Sequence, residues 1–250
     1  MRLEGQIYAA KHTESPSWTS SSPNPSATMR FPERRRFIRS MLSFFPASIV
    51  LLGLIATPFL PDDREAWRDL FDGKTLEGWT ATNFGGEGQV KIDAGRIVLG
   101  FGSDLTGITW KDPLPRFDYE VKLEARREEG NDFFCGLTFP VNDSYCSLIL
   151  GGWGGTVVGL SSIDGLDASE NETSRLMNFD LNKWYAVTLK VTPQKIEAWI
   201  DGAKIIDQEL AGRKISIRPE VELSRPLGVA SWRTRAALRK IAMRRIDAKR

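Results

Sequence analysis

Phe117–Arg126, F-D-Y-E-V-K-L-E-A-R, alternates apolar and charged side chains without a break. Phe117, Tyr119, Val121, Leu123 and Ala125 fall on one side; Asp118, Glu120, Lys122, Glu124 and Arg126 fall on the other. A period of two belongs to a β-strand with one face buried and one in water. The same pattern continues on both sides. Val90–Ile92 and Arg96–Leu99 flank Ala94-Gly95 and read as a hairpin. Asp132–Val141 and Ser144–Leu150 flank Asn142-Asp143, a second hairpin turn, and Thr156–Leu160 follows a Gly-rich bend. Trp184–Val191 pairs with Lys195–Ile206, which folds again at Asp201-Gly202. Val221–Leu223, Val229–Trp232 and Leu238–Ile246 complete the set. Helical periodicity is missing over any useful length, with Ser169–Met177 good for one turn. About a dozen short strands joined by tight turns imply an all-β, two-sheet antiparallel sandwich of the jelly-roll, concanavalin A-like type.

Composition narrows the chemistry. Seven of the 34 basic side chains and three of the 32 acids precede Pro58, which leaves 27 against 29 in the remainder. A slightly acidic domain argues against a nucleic-acid partner. The single histidine, His12, also lies early in the chain. A domain without histidine runs neither a Ser-His-Asp nor a Cys-His mechanism and builds no His-ligated zinc site. Its acids and bases must come from Asp, Glu, Lys, Tyr or Cys.

Three segments are expected. Residues 1–28 are a Ser/Pro-rich extension, or precede a true start at Met29. Residues 29–60 combine Arg34-Arg35-Arg36 and Arg39 with the apolar run Met41–Leu60. That order fits a secretory signal peptide ending near Ala56, or an uncleaved N-terminal anchor interrupted by Pro46 and Pro58. Either way the chain is exported to the periplasm, cell envelope or exterior, with membrane contact only through this segment. No Cys follows the run, so lipid attachment is not expected. Residues 61–250 form the sandwich.

Leu70–Thr80, L-F-D-G-K-T-L-E-G-W-T, places a tight Asp72-Gly73 turn among the anchors Leu70, Phe71, Leu76 and Trp79. Just downstream of an export segment, it resembles the opening motif of the 3-keto-disaccharide hydrolase domain family, secreted β-sandwich proteins that act on oxidised sugars. The resemblance extends over most of Trp67–Ile246. N-D-F-F-C-G-L-T-F (Asn131–Phe139), the Trp184–Asp207 hairpins and P-L-G-V-A-S-W-R-T-R-A-A-L-R-K-I-A-M-R-R-I (Pro226–Ile246) fall where relatives carry similar strands. Two places depart. The strand after Asn131–Phe139 reads S-Y-C-S-L-I-L-G-G-W-G-G where many relatives have a Tyr-Glu pair, and Ala230–Arg235 holds no histidine. The resemblance implies a hydrolase acting on glycosidic bonds of 3-keto-disaccharides or glucosides. The alternative is a non-catalytic, lectin-like carbohydrate-binding module of the cell envelope, and a structural envelope module is a third reading.

Glycosidic cleavage commonly uses carboxylates, so the strand-face acids are natural candidates. Glu120 and Glu124 share one face but lie roughly 13 Å apart at ~3.3 Å per residue, too far for a retaining pair. Glu124 or Glu197 would then be the base, and Arg126 or Arg233 the cation facing a developing enolate. Trp153 in the G-G-W-G-G loop, Trp199 and Trp232 offer rings on which a sugar face can stack. The plain alternatives are a solvated charged sheet face for the acids and a core cap for Trp153. Asp164, Asp167, Glu170 and Glu172 in Ser161–Ser174 could ligate Ca²⁺, but their spacing matches no EF-hand loop; a solvated loop is the simpler reading, and no cofactor is expected. With Asn142-Asp143 as the turn, Cys146 lies opposite Phe139 and Cys135 opposite Leu150, so the thiols share a face without pairing.

Overall fold

A computed structural model describes residues 66–247. The extension and leader at 1–60 lie outside the described residues. The first strands are β1 (Arg68–Asp69), β2 (Trp79–Ala81), β3 (Val90–Asp93), β4 (Arg96–Leu99) and β5 (Leu105–Trp110). Next come β6 (Tyr119–Glu129), β7 (Cys135–Val141), β8 (Ser144–Gly151), β9 (Val157–Ser161) and β10 (Arg175–Leu176). The last are β11 (Tyr185–Val191), β12 (Lys195–Ile200), β13 (Ala203–Glu209), β14 (Gly228–Trp232) and β15 (Arg235–Arg245). One sheet runs β13-β12-β11-β6-β15-β4-β3, with β1 on β15; the other runs β10-β9-β8-β7-β14-β5-β2. Every pairing is antiparallel. The all-β sandwich is therefore the observed fold.

Alternation places the core. Tyr119, Val121, Leu123 and Ala125 of β6 are buried between the sheets, as the sequence predicts. Facing them, Ile108, Val229, Leu137, Leu148 and Leu160 form one inward row across β5, β14, β7, β8 and β9. Phe134, Phe179 and Tyr185 close one part of the core with ring centroids 4.9–6.0 Å apart, Phe179 meeting the other two edge-on. The opening turn is an Asx-type turn. Asp72 Oδ1 accepts the backbone N–H of Lys74 and of Thr75, and Gly73 takes φ 77°. Those two N–H bonds, Thr75 first, hold the Asp72 carboxyl below its ordinary value.

The expected register at the cysteines holds: Phe139 pairs with Cys146 and Cys135 with Leu150. Both thiols are free and buried, and burial pushes each up to about 12. Three local expectations change. Phe117 leaves the sheet and is exposed, because Asp118 adopts φ 56° and starts the strand afresh. Val221–Leu223 is part of a short 3-10 helix, Pro219–Ser224, whose first residue is a proline that cannot donate to a ladder. Trp79–Ala81 and Leu105–Trp110 are strands that the alternation does not single out.

Candidate active site

The outer face of the second sheet is built for close approach. Next to the inward Val229 row lie two outward rows: Gly107, Ala230, Gly136, Ile149 and Gly159, and Thr109, Gly228, Thr138, Ser147 and Ser161. Four of these positions are glycine, and covering segments rest on three of them. A Cβ on Gly136 would lie 3.0 Å from the Phe133 ring, on Gly159 2.9 Å from Ala168 O, and on Gly228 2.6 Å from Ser224 O. At Gly107 it would lie 2.7 Å from Val229 O. Small residues thus let the 132–134 segment, the 161–174 loop and the 3-10 helix lie on the sheet.

Between those covers is a cavity of about 240 Å³. Leu105, Phe133, Ile149 and Val221 make its apolar wall, with Trp153 and Trp232 beside them. Asp132, Ser147, Ser161, Arg218 and Glu220 supply the polar groups. Trp153 is 43% exposed and adopts φ 48° and ψ 58°, an unusual conformation for a bulky residue. Its turn, Gly152–Gly155, is fastened from below. Arg127, buried and reaching from β6, donates to Phe179 O at 2.6 Å and to Gly155 O at 3.4 Å.

The carboxylates of the cavity differ in their commitments. Glu220 forms a two-point pair with Arg218, which holds its carboxyl below the ordinary value. Arg218 also donates to Asp167, and so ties the 3-10 helix to the polar loop. Asp132 makes no ion pair among the described residues. Its Oδ1 accepts the Phe133 N–H at 2.7 Å, while Oδ2 receives only a long contact from the Gly154 N–H at 3.4 Å. One oxygen of Asp132 therefore remains open to a ligand.

The polar loop is held by its own chemistry. Asn171 Nδ2 donates to Leu160 O, Leu166 O and Asp167 O. Three of the four carboxylates considered for Ca²⁺ are met by cations and hydroxyls: Asp164 and Glu172 by Arg213, Asp167 by Arg218, Ser161 and Ser162; Glu170 accepts only the Asp167 backbone N–H, at 3.5 Å. Among the described residues no cluster of three His, Cys, Asp or Glu side chains could hold a metal ion. Nor is any described helix long and apolar enough to cross a membrane.

Of the residues singled out from sequence, the structure brings only Trp153 and Trp232 into this cavity. Arg233 turns aside to Asp104 at 2.7 Å and lies 5.4 Å from the Trp232 ring centroid. Glu124, Arg126, Glu197 and Trp199 sit on the outer face of the other sheet. There Glu124 bonds Arg239 at 2.6 Å and Lys240 at 2.7 Å. Burial pushes its carboxyl up, but those two cations outweigh burial and hold it below the ordinary value. Glu197 pairs with Lys204 and Lys190, and Lys204 also lies 5.5 Å from the Trp199 ring centroid. Arg126 pairs with Glu128 and lies against Trp184. A second depression, about 600 Å³, lies on this face beside Asp72, Lys122, Glu124, Arg239 and Lys240, but the Glu124 carboxylate is already taken by the last two. Asp132, Arg218 and Glu220 are functional candidates that sequence reasoning passed over. Asp132 stood inside a quoted strand motif, and R-P-E at 218–220 carried only the signal of charges flanking a proline.

Residues 66–244 match the model of a family described as 3-keto-alpha-glucoside-1,2-lyase-like domain. Among solved structures, a protein of unknown function with a galectin-like fold from Bacillus subtilis is 13% identical, with a TM-score of 0.51. The match covers 72% of this chain and 94% of that one. A Crh5 transglycosylase in complex with NAG is 12% identical, with a TM-score of 0.51 over 74% of this chain and 85% of its own. At these identities the likeness is one of fold. Among curated proteins, none matches the chain.

Proposed function

Because this chain belongs to the 3-keto-alpha-glucoside-1,2-lyase-like domain family, we propose that the cavity on its second sheet binds a 3-keto-glycoside and cleaves its glycosidic bond. The domain is a carbohydrate-related β-sandwich; the bond broken and the residues that break it are the finer reading. The observation that carries it is Asp132 Oδ2, which accepts only one long hydrogen bond, in a cavity lined also by Trp153, Trp232 and Arg218.

A ketone at C3 acidifies the hydrogen on C2. Asp132 Oδ2 takes that proton, and the C–H electrons form an enolate whose oxygen lies toward the Arg218 guanidinium. The enolate then collapses to a C1=C2 double bond, and the C1–O bond breaks, so the leaving oxygen departs with its electron pair. Water completes the hydrolysis: its hydroxyl adds to C1, its proton goes to the leaving oxygen, and Asp132 returns its proton to C2. Glu220 is the poorer base, since Arg218 stabilises its charged form.

The test is release of the leaving group from a 3-keto-glucoside by the full chain, with hydrogen or deuterium at C2. The account expects release, slowed by deuterium. Binding without release would make this a lectin-like module, and release indifferent to deuterium would remove the elimination. Export of the domain is part of the proposal and rests on the basic and apolar order of residues 29–60.

A further inference from the structure

The polar atoms of the cavity are largely spoken for. Ser147 Oγ and Thr138 Oγ1 share a hydrogen bond at 2.8 Å, and Ser161 Oγ donates to Asp167 at 3.1 Å. Arg218 is divided between Asp167 and Glu220. Apart from the Asp132 oxygen that meets the sugar, what remains is largely apolar: Leu105, Phe133, Ile149 and Val221, with two tryptophans. A second sugar ring brought against this wall would lose water from its hydroxyls and find few partners in exchange. An aromatic ring loses nothing there and gains its burial.

The chemistry points the same way. Of the titratable groups lining the cavity, Asp132 is used as the base, Arg218 stays charged, and Glu220 is held as a carboxylate. The departing oxygen therefore leaves as an anion. A phenol, which ionises near ~10 like tyrosine, does so far more readily than an alcohol, which ionises near water's ~15.7.

We infer that the group expelled from the sugar is an aryl alcohol seated on the apolar wall, so that the substrate class is the aryl 3-keto-glycosides. This rests on the elimination proposed above.

The experiment uses the full chain, with phenyl 3-keto-α-glucoside and 3-keto-trehalose as matched substrates and phenol as a binding probe. The phenyl substrate should exceed the disaccharide in kcat/KM by at least about 100-fold, the scale of an absent general acid. Equal or better turnover of the disaccharide overturns the inference. Where neither is turned over, the elimination has failed, and calorimetry with phenol reads the aryl site by itself. Saturable phenol binding, weakened about tenfold (~1.4 kcal/mol) by Val221→Asp, supports it. Phenol that does not bind saturably to the unaltered chain overturns it.

Discussion

Asp132→Asn lowers turnover of a 3-keto-glucoside by about 10²–10⁴-fold while leaving its affinity within about twofold. Asparagine keeps the shape of the side chain and a carbonyl oxygen to accept the Phe133 N–H that Oδ1 now accepts at 2.7 Å. The Asp132 backbone N–H still donates to Thr234 Oγ1 at 3.1 Å. What the amide cannot do is take a proton from carbon. Glu124→Gln and Glu197→Gln are the contrast, and each should leave turnover within about twofold. Their oxygens face Arg239 and Lys240, or Lys204 and Lys190, on the opposite sheet. Steady-state kinetics on the three variants checks this, with a circular dichroism spectrum for each to show an intact sandwich. An Asp132→Asn protein that turns over normally would remove the assigned base.

Trp79→Ala should destabilise the sandwich more than any single change at the cavity rim. Trp79 is 2% exposed, meets Trp110 edge-on at 5.2 Å, and its Nε1–H donates to Leu70 O at 2.7 Å. Truncating it opens a cavity worth about 3–5 kcal/mol and leaves the Leu70 carbonyl without this donor. At about 2–4 °C per kcal/mol for a domain of this size, the Tm falls by roughly 10 °C. The neighbouring turn is packed closely on the partner ring. Gly78 has φ 78°, and a Cβ there would lie 2.3 Å from the Trp110 ring. Thermal unfolding followed by circular dichroism measures the shift, and a change below about 2 °C would show that the opening motif is not a core anchor.

The core of the sandwich was legible because it is written in alternation. Tyr119 to Ala125 points inward as read, and the cysteine register follows from Asn142-Asp143 alone. Leu105–Trp110, L-T-G-I-T-W, hid its strand because its outward positions are Leu105, Gly107 and Thr109, which do not contrast with inward Ile108 and Trp110 in the way charges do. The same feature hid the site. A floor made of glycine, alanine and hydroxyls becomes visible only when five strands are set in register, since its members are scattered along the chain from Gly107 to Ala230. Charged strand faces drew attention to Glu124 and Glu197, yet charges on alternating positions are also what a solvated sheet needs, and cross-strand cations claim both. The two tryptophans were readable because aromatic residues in a glycine loop or beside a turn have few structural duties. Asp132 and Arg218–Glu220 were not, because their meaning lies in which partners they lack or share, a property of the folded neighbourhood.

The most direct test of the central claim is where a sugar lands. In an amide-and-indole NMR titration of the full chain with a 3-keto-glucoside, the indole N–H signals of Trp153 and Trp232 should move together and saturate. Those of Trp67, Trp184 and Trp199, which lie against cations of the first sheet, should stay in place. Shifts confined to Trp67, Trp184 and Trp199 would put the sugar on the other sheet and contradict the account.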